Sequence, residues 1–334
     1  MNIVFVHLNT VLPRYLILNI KAHISKFPGH KVVLIHNTQV HVPYIEKLET
    51  YLFSPGEEWN TLNNLYTHKK DFRGNFWLTS TARFFALRDY IEDNRCQVLH
   101  LESDVVISRD FPFDKFTEIK ERLAYPIISN ERGVASVLYL KNYESAKLLT
   151  SIIIPEARRD PGTTEMLMLK KLFDSNPTQV RILPIGPKDE SSYRSIPIDI
   201  WGKMADSFHF FEGCFDGVDL GQYFFGTDPR NRRGKVLFRQ DIVKGYANVS
   251  LWSLGYSKSR EFPEILLQGE SKPTKVFALH LPSKKKALFS ARLQSRYFIR
   301  FSLDSKKGSR NTFYKWAFIT AVFDAIARRL GRYF

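Results

Sequence analysis

The sequence predicts an α/β protein with a mostly parallel sheet flanked by helices, followed by a basic, helical C-terminal extension. Short β-branched runs alternate with longer stretches in which apolar residues recur every three or four positions. Such alternation favours parallel strands joined by crossover helices. The extension is predicted from charge, because residues 284–334 carry +11 of the chain's net +15 and leave only +4 for the 283 residues before them.

The first part of the chain shows the alternation most clearly. Residues 2–7 are predicted as an apolar strand, and residues 15–27 as a helix with apolar periodicity. A second strand is predicted over residues 31–37. The polar, irregular segment from Glu46 to Asn75 is expected to form loops with a short helix, and residues 76–94 a long helix.

The pattern continues beyond that helix. A buried strand over residues 98–101 runs directly into an acidic trio. After a further segment at 123–130, the predicted elements are a strand at 133–140, helices at 143–153 and 163–173, a strand at 180–186, an ordered loop or short helix within 215–234, and a last strand within 275–286. We therefore predict a catalytic domain over residues 1–286 and an extension over residues 287–334.

Composition and cysteine content narrow the class of protein. The chain has 334 residues, 44% of them hydrophobic and 25% charged, which is typical of a globular protein. Cys96 and Cys214 are its only cysteines and lack C-x-x-C spacing, so neither a disulfide framework nor a cysteine metal site is expected. Residues 1–10 lack a basic region followed by a long apolar stretch, so we expect a cytoplasmic protein.

The acidic trio Glu102-Ser103-Asp104 is the strongest chemical signal. It follows an apolar strand, and in an open parallel sheet ligands bind beyond the carboxyl ends of strands. In an extended strand, Glu102 and Asp104 would share a face and Ser103 would point away. We include all three residues among the candidates for binding the donor. Carboxylates suit Mn²⁺ or Mg²⁺, cations that neutralise a diphosphate. The alternative is a cap or turn without a ligand, because acidic residues are common at strand ends.

A second candidate metal ligand is His280, which stands near the end of the last strand and precedes Lys284, Lys285 and Lys286. An imidazole would complete a carboxylate site and favour Mn²⁺ over Mg²⁺. Lys284 and Lys286 would take the phosphate oxygens of a nucleotide. Considered singly, the histidine is more simply a hydrogen-bonded residue and the lysines a solvated face. Together with the acidic trio they indicate one site.

The order of these features resembles that of GT-A glycosyltransferases, which have a Rossmann-like nucleotide-binding half. The matching segments are LESDVVI in place of an Asp-x-Asp motif, GVASVLYLKNYESAKLL, TTEMLMLKKLF, VRILPIG and the late strand with its histidine. The resemblance covers residues 2–286. The spacing of His280 and Lys286 is similar to that of family 8 enzymes, although Glu102 replaces the usual aspartate and Leu281 the usual phenylalanine.

The resemblance implies transfer of a hexose-type sugar from a UDP- or GDP-sugar donor to a glycan or lipid-linked acceptor. It implies Mn²⁺, or Mg²⁺, held by Glu102, Asp104 and His280. It also implies that Arg83 lies near the donor nucleotide or its phosphate, for which a salt-bridged or solvated arginine is the alternative. Glu165 is the nearest positional equivalent of the acidic element of the family, and we include it among the catalytic candidates.

Four other polar residues are candidates from their positions. Asp216 and Asp219 lie in a Gly-rich loop, where carboxylates hold acceptor hydroxyls and one acts as a general base. The alternative is a tight structural loop. His7 and Asn9 follow the first strand and would line the base or ribose pocket; the alternative for Asn9 is a capping role.

The extension leaves two interpretations open. Apolar residues from Phe313 to Leu330 form one helical stripe, with basic residues outside it. Such a helix suits an anionic membrane surface, which would make the protein peripheral on the inner face. Packing on the catalytic domain is the alternative.

Two rival functions also remain. A nucleotidyltransferase or pyrophosphorylase is disfavoured because residues 6–15 contain no glycine. A nucleic-acid-binding protein would act through the basic tail and show a steep salt dependence. We do not expect nucleic acid as a partner.

Overall fold

The structure, a computed structural model, describes residues 1–9, 11–68, 75–225, 245–256, 262–267 and 272–282. Lys284, Lys286 and the predicted extension over residues 287–334 lie outside these ranges. Within them, the expected α/β architecture is confirmed, with a mostly parallel sheet flanked by helices.

β1 (Asn2–His7) lies in the parallel half of the first sheet. It pairs in parallel with β2 (Val32–His36) on one side and with β4 (Val98–Leu101) on the other. β3 (Leu48–Leu52) adds a parallel strand beyond β2. The chain runs outward from β1 through β2 to β3 and then returns to the other side of β1 as β4. The strand order therefore reverses between β1 and β4, and such a switch point is where open α/β sheets bind ligands.

The other half of this sheet mixes strand directions. β8 (Val137–Leu140) pairs antiparallel with β4 and with β6 (Leu123–Ser129). β6 pairs antiparallel with β7 (Arg132–Gly133) and parallel with β9 (Val180–Leu183).

A smaller second sheet is organised around β13 (Thr274–His280). β10 (Gly213–Phe215) pairs with it in parallel, and β12 (Pro263–Leu267) pairs with it antiparallel and continues to β11 (Trp252–Tyr256). β5 (Val105–Ile107) follows β4 along the chain but pairs antiparallel with β13. The chain therefore passes from the first sheet to the second between β4 and β5.

Helices cover both faces of the first sheet. In chain order, the helices of the described residues are α1 (Arg14–Lys26), α2 (Glu57–Leu65), α3 (Phe76–Asn94), α4 (Phe113–Glu118), α5 (Tyr143–Ser151), α6 (Ile153–Arg159), α7 (Glu165–Ser175), α8 (Ile198–Phe211) and α9 (Asp219–Phe225). Along β1, Ile3 and Phe5 belong to one apolar core with residues of α1, and Val4 to another with residues of α3, as the two-residue period of a strand requires. In the described part of the chain, none of the helices combines the length and apolar character needed to span a membrane.

The fold confirms most predicted elements, but the strand predicted over 133–140 is divided into β7 and β8, the helix predicted over 143–153 ends as α5 before α6 begins, and one further segment is corrected. β1 and α3 have the predicted bounds, and α1, β2, β4 and β13 agree within a few residues. The segment from Glu46 to Asn75 was predicted as loops with a short helix, but it also contains β3. β3 is the edge strand beside β2, and its residues are exposed or only partly buried. An edge strand of this kind does not need a run of apolar residues, so the sequence contains no strand signal here.

Candidate metal centre

The acidic trio forms a turn between β4 and β5. The amide of Val105 donates to the carbonyl of Glu102 over 3.0 Å and closes the turn, while the amide of Glu102 donates to the carbonyl of Ser136 over 3.2 Å. The extended conformation expected for the trio is therefore wrong, because the chain changes sheets at this point. Glu102 and Asp104 nevertheless contribute to one cluster of possible metal ligands.

Helix α1 supports this turn from behind. The fully buried side chain of Asn19 donates to the carbonyls of Ser103, over 3.2 Å, and Val105, over 2.7 Å. The hydroxyl of Ser103 lies 3.2 Å from that of Tyr15. Ser103 was grouped with the donor-binding candidates, but its side chain contacts α1 instead. Asn19 escaped the sequence analysis, although a polar residue within an apolar helical stripe is a signal that could have found it.

β13 brings His280 to the turn. His280 lies opposite Val105 in the pairing with β5, and the amide of Leu281 donates to the carbonyl of Asp104 over 2.7 Å. Nε2 of His280 lies 3.2 Å from Oδ1 of Asp104 and 3.6 Å from Oε2 of Glu102. One ligand atom from each of the three residues lies within 4.8 Å of the others. We call Glu102, Asp104 and His280 the ligand cluster.

The protonation of His280 is set by its neighbours. Nδ1 lies 2.9 Å from the carbonyl oxygen of Gly217, so in the neutral ring Nδ1–H donates and Nε2 keeps its lone pair. Burial lowers the pKa of His280, but Asp104 and then Glu102 outweigh burial and raise that pKa to about 10. The carboxylates that favour a proton on Nε2 equally favour a metal cation beside it.

The ligand cluster fits a divalent cation. Around an octahedral ion with bonds of about 2.1 Å, ligand atoms lie roughly 3 to 4 Å apart, and the two distances from Nε2 of His280 are in that range. Two carboxylates and one imidazole suit Mn²⁺. The three side chains are 12–19% exposed, so the cluster is accessible to a ligand.

Asp216 does not face an open cleft. Asp216 is 1% exposed. Its Oδ2 accepts hydrogen bonds from the backbone N–H groups of Gly221, over 2.8 Å, and His280, over 3.1 Å. Its Oδ1 accepts a hydrogen bond from the backbone N–H of Leu220 over 3.1 Å. Burial raises the pKa of Asp216 to about 6, opposed by His280 and these N–H groups. Residue 221 is glycine because a Cβ there would lie 1.5 Å from the carbonyl oxygen of His280. Asp216 was expected to face an acceptor, but the structure makes it a residue that ties α9 to β13 and positions His280.

Asp219, the first residue of α9, is also buried. It is 5% exposed, and among the described residues its Oδ2 has no hydrogen-bond partner. Burial and the nearby Asp216 raise the pKa of Asp219 to about 7, while Arg194 opposes the shift. A buried carboxyl that titrates near neutrality has the properties of a general base. Its catalytic role stays a prediction.

Arg83 and Glu165 meet beside the ligand cluster. Nη1 of Arg83 lies 2.7 Å from Oε1 of Glu102, and Nη2 lies 3.8 Å from Oε1 of Glu165. Burial raises the pKa of Glu165, opposed by Arg83 and reinforced by Glu102. Arg83 is therefore salt-bridged, which was one of the two interpretations open from the sequence. The roles of Arg83 and Glu165 toward a donor remain predictions.

His7 and Asn9 lie where β1 ends, next to the switch point. Nε2 of His7 lies 2.8 Å from the carbonyl oxygen of Val11, and burial lowers the pKa of this histidine. Helix α1 begins at Arg14 with Pro13 as its N-cap residue, so Asn9 does not cap it. Their place beside a base or ribose stays a prediction.

No family model matches this chain, and no curated protein does. Solved structures show a partial likeness. The galactosyltransferase LgtC, in complex with donor and acceptor sugar analogs, aligns with 55% of this chain and 73% of its own, at 14% identity and a TM-score of 0.39. The PaToxG glycosyltransferase aligns with 53% and 68%, at 8% identity and a TM-score of 0.36.

Mouse xyloside xylosyltransferase 1, in its apo form, aligns with 55% of this chain and 84% of its own, at 8% identity and a TM-score of 0.37. All three proteins are glycosyltransferases. At these values the likeness concerns the fold alone.

Proposed function

We propose that this protein is a divalent-cation-dependent glycosyltransferase whose donor is a nucleoside diphosphate sugar of the UDP or GDP type. The observation that carries the proposal is the ligand cluster, in which Glu102, Asp104 and His280 converge within 4.8 Å. The cluster lies beyond the carboxyl end of β4, beside the switch point between β1 and β4. Open α/β sheets bind nucleotides at such a point.

The site supplies what a departing nucleoside diphosphate requires. A cation held by the ligand cluster would neutralise negative charge on the diphosphate. His7 and Asn9, at the end of β1, are the candidates for contacts to the nucleoside. Lys284 and Lys286 follow His280 closely along the chain and are the candidates for contacts to phosphate.

Asp219 is the candidate for the group that takes the proton from an acceptor hydroxyl. A pKa of about 7 leaves its carboxylate partly ionised at neutral pH and still basic enough to hold a proton. Glu165 is the second candidate. The acceptor we propose is a glycan or lipid-linked sugar, with the basic extension holding the enzyme at an anionic membrane surface.

Thermal unfolding of the full-length chain tests this function. The protein is heated with UDP, GDP, CMP and their sugars, each with and without Mn²⁺. We expect a nucleotide to raise the unfolding temperature only when Mn²⁺ is present, because a ligand that binds the folded state stabilises it. The absence of any Mn²⁺-dependent shift across the whole panel would refute the proposal.

A matched pair of histidine variants locates the effect. His280→Ala should remove the Mn²⁺-dependent shift. His209→Ala, which changes an exposed histidine in the last turn of α8, should retain it. Equal shifts in both variants would separate the nucleotide response from the ligand cluster.

A further inference from the structure

Behind the ligand cluster, a set of polar contacts connects three elements of the fold. Arg83, on α3, contacts Glu102 of the acidic turn and lies near Glu165 of α7. Oε2 of Glu165 accepts a hydrogen bond over 3.2 Å from the hydroxyl of Ser80, which lies one turn before Arg83 on α3. We call Ser80, Arg83, Glu165 and Glu102 the ion-pair chain.

Glu102 divides its two oxygens between the ion-pair chain and the ligand cluster. Oε1 lies 2.7 Å from Nη1 of Arg83, whereas Oε2 lies 3.6 Å from Nε2 of His280. With Oε1 engaged by the guanidinium, Oε2 is the oxygen presented to a cation. We propose that Arg83 is a positioning residue that fixes Glu102 as a ligand through one oxygen, and that Glu165 fixes Arg83. This inference rests on the proposed function, because it takes the ligand cluster to bind a cation.

The surroundings of Arg83 favour a fixed position. Its side chain is 11% exposed, and its guanidinium carbon lies 5.3 Å from the centroid of the Phe84 ring. A buried guanidinium is stable only beside compensating charge, and Glu102 and Glu165 provide it. Of the two contacts, the one to Glu102 is shorter by 1.1 Å, from 3.8 Å to 2.7 Å. Arg83 therefore acts mainly on the orientation of Glu102.

Charge alone predicts the opposite effect from positioning. A guanidinium repels a divalent cation, so by Coulomb's law its removal would tighten cation binding. If Arg83 positions Glu102, its removal frees both oxygens of Glu102, and affinity falls. Loss of a group that orients a metal ligand typically weakens metal affinity about 10- to 100-fold. The sign of the change therefore distinguishes the two roles.

The experiment measures Mn²⁺ binding to the full-length chain by titration, with free Mn²⁺ detected by electron paramagnetic resonance. Arg83→Met retains the aliphatic stem without the charge, and we expect it to weaken Mn²⁺ binding about 10- to 100-fold. Arg83→Lys restores one charge without the planar fork and should recover part of that loss. Unchanged or tighter Mn²⁺ binding by Arg83→Met would overturn the inference.

Arg88→Met is the matched control. Arg88 lies on the same helix, forms ion pairs with Glu58 and Asp89 over 2.6 and 2.9 Å, and lies over the ring of Phe85 at 5.5 Å. It has no described contact with the ligand cluster, so its substitution should leave Mn²⁺ affinity at the wild-type value. A loss equal to that of Arg83→Met would show a general effect of α3 and overturn the inference.

Glu165→Gln keeps the test decisive if Arg83→Met fails to fold, which far-ultraviolet circular dichroism would show. The amide still accepts from Ser80 but loses the charge that faces Arg83, so we expect weaker Mn²⁺ binding, by less than in Arg83→Met. Because Glu165 fixes Arg83 in the proposed arrangement, wild-type Mn²⁺ affinity in Glu165→Gln would overturn the inference. The outcome for wild-type protein is separate, because failure of the unmodified chain to bind Mn²⁺ would refute the proposed function itself.

A further outcome assigns Arg83 elsewhere. If Arg83→Met keeps its Mn²⁺ affinity but binds UDP or GDP more weakly, the guanidinium contacts the donor directly. That result overturns the positioning role while leaving the proposed function intact.

Discussion

Two pairs of acidic residues, Glu102 with Asp104 and Asp216 with Asp219, differ in their surroundings. Oxygens of Glu102 and Asp104 lie 3.6 and 3.2 Å from Nε2 of His280, and both side chains retain some exposure. Asp216 and Asp219 are almost fully buried, and Asp216 uses both oxygens to accept backbone N–H groups. Acidic residues near strand ends look alike in a sequence. The supply of backbone donors around each one decides whether it supports the fold or remains available to a ligand.

Asp104→Asn should break this comparison most severely. The substitution removes a charge from the ligand cluster. Loss of a residue that only orients a metal ligand weakens affinity about 10- to 100-fold, and we expect Asp104→Asn to lower Mn²⁺ affinity by more than that. Transfer activity should fall with it. The measurement is the same Mn²⁺ titration, followed by a transfer assay. Asp199→Asn, at an exposed position on α8, is the control and should match the wild type. Retention of full Mn²⁺ affinity would show that Asp104 is not a ligand.

Asp216→Asn should affect stability before metal binding. One carboxylate oxygen becomes an NH₂ group that cannot accept the N–H it now faces, so we expect a loss of about 2 kcal/mol in the free energy of unfolding. Urea unfolding without metal measures this loss. Mn²⁺ affinity should fall less than in Asp104→Asn, because the three ligands remain. If Asp216→Asn is as stable as the wild type but does not bind Mn²⁺, Asp216 belongs with the metal ligands rather than with the residues that support the fold.

Asp219→Asn should act in a pH-dependent way. Burial raises the pKa of Asp219 from 3.8 to about 7 in the folded state, so the folded chain holds a proton that the unfolded chain releases between these values. Stability from this group is therefore full below pH 3.8 and is lost as the pH rises through about 7. Asparagine resembles the protonated form, so the variant should unfold at a higher temperature than the wild type at pH 8.

The difference between Asp219→Asn and the wild type should shrink toward pH 5, which calorimetry at the two pH values measures. Transfer activity should fall although stability rises, if Asp219 is the general base. An equal stability change at both pH values would contradict the shifted titration, and unaltered activity would contradict the catalytic role.

Ser103→Ala should have the smallest effect. The hydroxyl contacts Tyr15 rather than the ligand cluster, so Mn²⁺ affinity and the Michaelis constant for donor should not change. The free energy of unfolding should fall by about 1 kcal/mol or less. A clear rise in the Michaelis constant would return Ser103 to the donor-binding residues.

The elements of the fold were predictable where burial imposes a strong pattern. β1 is a short apolar run, α3 carries Phe84, Leu87 and Ile91 three or four positions apart, and the bounds of both elements agree with the prediction. β3 lacks that pattern because none of its residues is fully buried. The turn at Ser103 was unpredictable for another reason: the chain changes sheets there, and pairing with the distant β13 decides where β4 ends.

Parts of the candidate site were also predictable, and parts were not. Strand ends at one edge of a sheet suggested that Glu102, Asp104 and His280 would meet, and the structure brings them together. The contact of Arg83 with Glu102 was visible only as one of two alternatives. Asp216 accepts hydrogen bonds from backbone N–H groups of both α9 and β13. These bonds depend on how α9 packs against β13, which no local sequence pattern specifies.

The pairing of β13 with β5 has a consequence for folding. It places residues 105 and 280 opposite each other, although 175 positions separate them along the chain. Contacts between such distant residues form slowly, because a long loop must close, at a cost in entropy, before the contacts can contribute favourable free energy. A cation in the ligand cluster would therefore link β13 to the turn after β4 once the two sheets have come together. The cation would bind only molecules in which β13 has already paired with β5, because only these hold the three ligands together. Its binding would therefore shift the folding equilibrium toward the native state.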